Sequence, residues 1–347
     1  MLREHDQLVC SLDWGCTSHR LLSCSHDRNV YVWTPPAAPG AAWTPALVVH
    51  HLTRAALCCA WAPGDTKFAV GSGAGSVSIC YFERDNNWWV GKLVKKHHES
   101  SVLGVAWHPT QPLLATACAD GCVRIMAAAV RGVDSAPVGG DAKFGDLLLQ
   151  WSLASGWVHS VAWAPSGSTL AAVTHGGGAH FMCGLDASRA GEWMALGDKA
   201  QGPVTAVPLA SDELPWLTLL FLSDSLAIAA GFDCVPVVLT RTRDAGWILA
   251  GELAAPEEAP SQSSERKSAF SERLASFRSQ TERGEAASDG DASGGAPRGM
   301  HMNTVTCLRA MPSSPHSFTS SGLDGRVAVW SAAPAELARG FGTLQLA

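Results

Sequence analysis

The chain has 347 residues, of which 47% are hydrophobic and 16% charged, with 14 tryptophans against two tyrosines. That apolar content is enough for a large core and excludes wholesale disorder. A formal charge of −6 lacks the basic excess of a nucleic-acid protein, and no apolar run is long enough to predict a membrane span or, at the charged opening, a signal peptide.

One pattern recurs along the chain: an alternating apolar run that ends in Trp, often followed two residues later by Pro. It appears as Val9 to Trp14, Ala56 to Trp61, Val102 to Trp107 and Val158 to Trp163, with Trp intervals of 47, 46 and 56 residues. A fifth copy, Trp216 to Phe221, has Phe in place of Trp, and a sixth, Thr304 to Leu308, is more worn. Each copy precedes a second half in which two β-prone runs flank a turn. In the clearest cases the turn starts an Asp-x-x-Val-x-x-Trp sequence, at Asp27–Trp33 and Asp324–Trp330, and Asp120 opens a third that ends in Met126. Ala74 and His175 stand where the Asp would be in two other units, and Pro236 interrupts the one that follows Asp233.

Asp and Gly suit a tight hairpin turn, and alternation on either side places one face of each strand in a core. A shared Trp would then fill the space between neighbouring sheets. A fixed period near 40–45 residues with this punctuation predicts an all-β WD-repeat propeller. Its six recognisable units centre on 9–33, 56–82, 102–126, 158–183, 214–240 and 304–330, within one domain over 1–347. Trp14, Asp27, Trp33, Trp61, Trp107, Asp120, Trp163, Asp233, Asp324 and Trp330 are the expected structural residues of the repeat.

The fifth and sixth units stand nearly two periods apart. Between them, 254–299 has no Trp, Val, Ile or Tyr and is rich in Ser, Glu, Ala and Gly, so 254–300 is expected to be mostly disordered. One stretch breaks the pattern. Phe270, Leu274 and Phe277 fall at i, i+4 and i+7, one face of a helix near 266–283. Between 265 and 283 five basic and three acidic residues make this stretch locally positive. This helix face either packs back on the propeller or enters a partner's groove.

Sites for chemistry are sparse. Gly71 to Gly75 bridges two strand-like runs and opens no helix, which suits a hairpin turn and not a phosphate loop. His97, His98, His159, His175 and His180 lack carboxylates at ligand spacing, and no Gly-x-Ser-x-Gly elbow occurs. The 11 cysteines include no C-x-x-C pair, and several lie inside apolar strands, as expected of reduced thiols in a cytosolic protein. The chain is therefore expected to be non-enzymatic, with no cofactor and no metal.

Stretches outside the shared repeat carry a more specific signal. Lys67 to Gly73, Ser78 to Glu83, Asn87-Trp-Trp-Val90, Phe144 to Leu147, Ser155-Gly-Trp-Val-His159 and Ala229 to Cys234 resemble subunit 1 of the actin-related protein 2/3 complex, as does Asp27-Arg-Asn-Val-Tyr-Val-Trp33. The likeness runs from about His5 to Trp330. It implies a seven-bladed, non-catalytic propeller that helps hold the complex together beside the second actin-related protein and the small helical subunits. It also implies a place near nucleation-promoting factors, in the cytoplasm and actin cytoskeleton. The family's protruding helix contacts the mother filament. By position its contact residues here would be Phe270, Arg273, Leu274, Phe277 and Arg278. The chain starts about one blade later than the family pattern, so the first blade is expected to be missing, and closure with six or seven blades stays open. An unrelated WD-repeat scaffold, such as a ubiquitin-ligase adaptor or chromatin subunit, is the alternative; it would lack the insert and the matches outside the repeat.

Overall fold

The computed structural model describes residues 2–135, 142–193, 203–210, 213–242, 246–253, 300–312 and 314–333. These form 23 strands and one short 3₁₀ turn, Ala187–Glu192. The first sheet runs β1 (Val9–Trp14), β2 (Leu21–Ser25), β3 (Val30–Thr34) and β4 (Thr44–Val49). The second comprises β5 (Ala56–Trp61), β6 (Lys67–Ser72), β7 (Val77–Glu83) and β8 (Trp88–Val94), and the third β9 (Val102–Trp107), β10 (Leu113–Cys118), β11 (Cys122–Ala127) and β12 (Leu147–Ser152). The fourth holds β13 (Val158–Trp163), β14 (Thr169–Thr174), β15 (Gly178–Cys183) and β16 (Val204–Val207). The fifth holds β17 (Trp216–Ser223), β18 (Leu226–Gly231), β19 (Val237–Thr242) and β20 (Gly246–Glu252). The last, β21 (Val305–Ala310), β22 (Ser317–Gly322) and β23 (Val327–Ser331), has three strands among the described residues.

Within each sheet every strand pairs antiparallel with the next in sequence. Each repeat unit supplies the first three strands of its sheet, and the outer fourth strands carry no repeat signature. Outer strands β4 and β8 also touch in parallel, Val48 opposite Trp89, and so join the first two sheets at the rim.

Inner strands β1, β5, β9, β13, β17 and β21 contact one another in that order, so the sheets pack face to face like blades. Each of the five junctions holds its own apolar cluster. Trp61, Trp107 and Trp163 are buried there, and Phe221 takes the same place in the fifth sheet. Burial of a large side chain contributes about 1.5–3 kcal/mol, so these repeated anchors carry much of the architecture.

Trp14 departs from the expectation of a buried wedge. It is 47% exposed and rests on Trp43 and His19, at centroid distances of 6.1 and 6.3 Å. The reason is positional: among the described residues the first sheet has a packed neighbour on one face. Its other face leaves Val9 and Leu12 exposed, as the last sheet leaves Val327 and Val329. Arg309 of β21 crosses this seam at the inner end. It donates to the Leu12 carbonyl at 3.2 Å and lies 3.1 Å from Asp13 Oδ1, bringing the last sheet round to the first.

Candidate functional site

The turns between second and third strands and the loops that lead into each first strand share one face of the propeller, and the repeat Asp residues hold this face in place. Asp27 accepts from the amides of Asp6 and Asn29 at 3.0 and 2.7 Å. Asp120 does the same for Glu99 and Cys122, both at 3.0 Å, and Asp324 for Met302 and Arg326 at 2.8 and 3.0 Å. Asp233 accepts from Leu214 at 2.8 Å. Each carboxylate thus pins the loop entering its sheet to its own hairpin turn. The turns close in the left-handed region, taken by Gly121 and Gly325 at φ +82° and +72°, and by Arg28 at +70°.

Two of these sites are complete relays. Trp33 Nε1 donates to Ser23 Oγ at 2.8 Å, Ser23 lies 2.8 Å from His5 Nε2, and His5 Nδ1 lies 2.9 Å from Asp27. With the hydroxyl accepting from the indole, it donates to Nε2, so Nδ1 carries the proton given to Asp27. The last sheet repeats the arrangement: Trp330 to Ser320 at 2.7 Å, Ser320 to His301 at 2.6 Å, and His301 to Asp324 at 3.2 Å. Burial opposes ionisation of Asp324, but the amides of Met302 and Arg326 and the His301 ring outweigh it and lower the carboxyl to about 2. The balance is the same in kind at Asp27, which is also lowered.

The third sheet has a changed relay. His98 Nε2 meets Thr116 Oγ1 at 2.8 Å, but Met126 replaces the Trp, and Arg124 takes Asp120 at 2.7 Å. His98 Nδ1 is left buried without a partner, and burial, followed by the Arg124 charge, lowers the ring to about 4. The Asp and Trp positions stand out in the sequence, whereas His5, Ser23, His98, Thr116, His301 and Ser320 do not. The available signal is spacing: His precedes Asp by 22, 22 and 23 residues in the three units.

The long insert is rooted on this same face. Leu253 donates its amide to the Pro236 carbonyl at 2.8 Å, and Arg326 reaches the Met300 carbonyl at 3.1 Å. Leu253 and Met300 pack into one apolar cluster between the fifth and sixth sheets. The helix read over 266–283, with Phe270, Arg273, Leu274, Phe277 and Arg278, lies outside the described residues.

The opposite face carries a cavity of about 570 Å³ bordered by Asp13, Asp65 and Arg309. Asp65 Oδ2 accepts from the amides of Thr17 and Ser18, both at 2.7 Å, and Asp13 Oδ2 from Trp61 at 2.7 Å. Burial pushes the Asp13 carboxyl up, and the Arg309 charge opposes this. These carboxylates are engaged by main chain and stitch the first sheet to the second. Among the described residues no group of three or more His, Cys, Asp or Glu side chains is placed to hold a metal ion, and no helix is long and apolar enough to cross a membrane.

Comparison with known proteins matches this architecture. The WD domain, G-beta repeat family matches residues 1–34, 91–125 and 299–331, the two complete relays and part of the third sheet. The WD40 beta propeller domain of Doa1 superposes with a TM-score of 0.61 over 95% of this chain and 81% of that one, at 11% identity, which speaks to the fold alone. Likeness along most of the chain is more specific. Actin-related protein 2/3 complex subunit 1A of Arabidopsis thaliana is 38% identical over 335 residues, covering 95% of this chain and 84% of that protein. Subunit 1 of Schizosaccharomyces pombe is 33% identical over 344 residues, covering 94% and 86%. With relatives that alike along almost the whole sequence, the chain belongs to the actin-related protein 2/3 complex subunit 1 family.

Proposed function

We propose that this chain is a non-catalytic scaffold subunit of an actin-related protein 2/3 complex, supporting actin nucleation and branched-filament formation in the cytoplasmic actin cytoskeleton. The observation that carries this reading is the family likeness over 94–95% of the chain. The engagement of the repeat carboxylates by main-chain amides supports a structural role for them. Its partners are the second actin-related protein, the small helical subunits and the actin filament, with nucleation-promoting factors nearby.

Within that reading, the 266–283 helix meets the side of the mother filament. Both roots of the insert lie on one face, which suits an appendage directed outward. Phe270, Leu274 and Phe277 are the anchors, each contributing about 1.5–3 kcal/mol if buried. Arg273 and Arg278 add a salt-sensitive attraction to acidic actin.

The test has two steps. Affinity purification of the tagged chain from its own cells is expected to recover actin-related proteins; recovery of cullin or histone partners instead overturns the assignment. In the reconstituted complex, changing Phe270, Leu274 and Phe277 together to Ser is expected to preserve assembly and reduce branch formation at least tenfold. Failed assembly would mean that the helix packs on its own propeller, and normal branching would mean that it is no anchor.

A further inference from the structure

The loop face carries an exposed ring cluster that no relay uses. Trp157, in the loop before β13, is 56% exposed, and its ring lies 5.7 Å from His175 and 6.5 Å from His159. His159 Nε2 and His175 Nδ1 share a hydrogen bond at 3.0 Å across β13 and the end of β14. His175 continues to Phe232 of the fifth sheet at 6.4 Å, and Phe232 is 38% exposed. Four rings therefore form a continuous floor across two blades. Exposed aromatic groups in contact with one another are a feature of docking surfaces rather than of a solvated rim.

Charge decides the occupant. Aromatic faces attract cations through the ring quadrupole. Burial, then the adjacent His175 ring, holds His159 below the usual histidine range, so it adds no positive charge at neutral pH. On one side Gly156, which precedes Trp157, sets its carbonyl beside Gly121 of the Asp120–Gly121 turn, and exposed Glu99 donates its amide to Asp120 of that turn. On the other side exposed Asp233 follows Phe232 directly. Arg124, the cation of the first turn, is buried and locked on Asp120. The floor is thus flanked by two exposed acidic residues, Glu99 and Asp233, which disfavour nucleic acid and acidic peptides there.

We propose that Trp157, His159, His175 and Phe232 form a docking surface for a basic segment of another protein, with an arginine or lysine side chain laid over the exposed rings between Glu99 and Asp233. The family assignment is not needed for this inference, and its failure would leave the proposed function standing.

Isothermal titration of the full chain with the peptide Leu-Arg-Leu-Arg-Leu tests it. Saturable binding is expected, weakened about tenfold by Trp157→Ala with Phe232→Ala and less than threefold by Trp157→Phe, which keeps a ring. Citrulline in place of arginine, or Glu99→Gln with Asp233→Asn, is expected to weaken binding about fivefold. Unchanged thermal unfolding of the variants separates loss of the surface from loss of the fold. The proposal is overturned by equal binding of a glutamate peptide, by binding that survives loss of both rings, or by no binding to the wild-type chain. It is also overturned if the peptide binds only after the basic residues of 265–283 are changed to Gln, because the chain's own insert would then be the occupant.

Discussion

The outermost sheets and the middle sheets are stabilised in different ways. The first and last each contain a complete Trp–Ser–His–Asp relay. The fourth and fifth have none, and meet instead through Phe181 and Trp247, stacked at 4.1 Å and 6°, with Phe221 edge-on to Trp247 at 5.6 Å. Buried Trp247 leaves its indole N–H without a partner, as an arrangement built on apolar packing tolerates. The difference follows the number of neighbours. A middle sheet buries both faces and can rely on apolar area. A terminal sheet packs one face among the described residues, and hydrogen bonds internal to the sheet make up part of the loss.

The largest effect should come from breaking the middle solution. Phe181→Ala leaves a cavity between two sheets and is expected to cost about 3–5 kcal/mol, read as a lower urea midpoint. If the cost stays below that of a relay substitution, the contrast between regions is wrong. The relay effect should be intermediate. His301→Ala removes one partner each from buried Ser320 and from Asp324, at a cost of about 1–3 kcal/mol at neutral pH. Its signature is acid dependence. Asp324 has a lowered pKa when folded, so its stabilisation is full above the unfolded value near 4 and fades as pH falls toward about 2. Asp324→Asn is expected to flatten unfolding stability against pH across that window, whereas Phe181→Ala should leave the slope unchanged. The smallest effect belongs to the seam. Arg309 is half exposed where it meets Asp13, so Arg309→Ala should cost less than about 1 kcal/mol by thermal unfolding. A large loss there would show that the terminal sheets depend on each other rather than on their own relays.

The repeats were legible because every blade solves the same packing problem. Periodic Trp positions marked the inner strands β1, β5, β9 and β13, and Asp27, Asp120 and Asp324 marked their turns. Outer strands such as β16 and β20 were not legible, since they lie at the rim under weak and variable burial. The relay histidines escaped for another reason: His5 and His301 lie in loops, more than 20 residues before the Asp they bind, and only the fold brings them together.

What the amino-acid sequence determined by itself was the class of structure, the number of repeat units and the family, since local alternation, turn chemistry and matches outside the repeat all reside in contiguous residues. The tertiary structure decided which repeated residues are buried and which face a partner. Trp14 and Trp61 occupy the same place in the pattern, but among the described residues Trp61 has a sheet on either side and Trp14 does not. Trp157, His159, His175 and Phe232 have no common pattern in the chain and form one surface only because the fourth and fifth blades set their loops side by side. Burial and adjacency are properties of the assembled sheets, and local sequence cannot encode them.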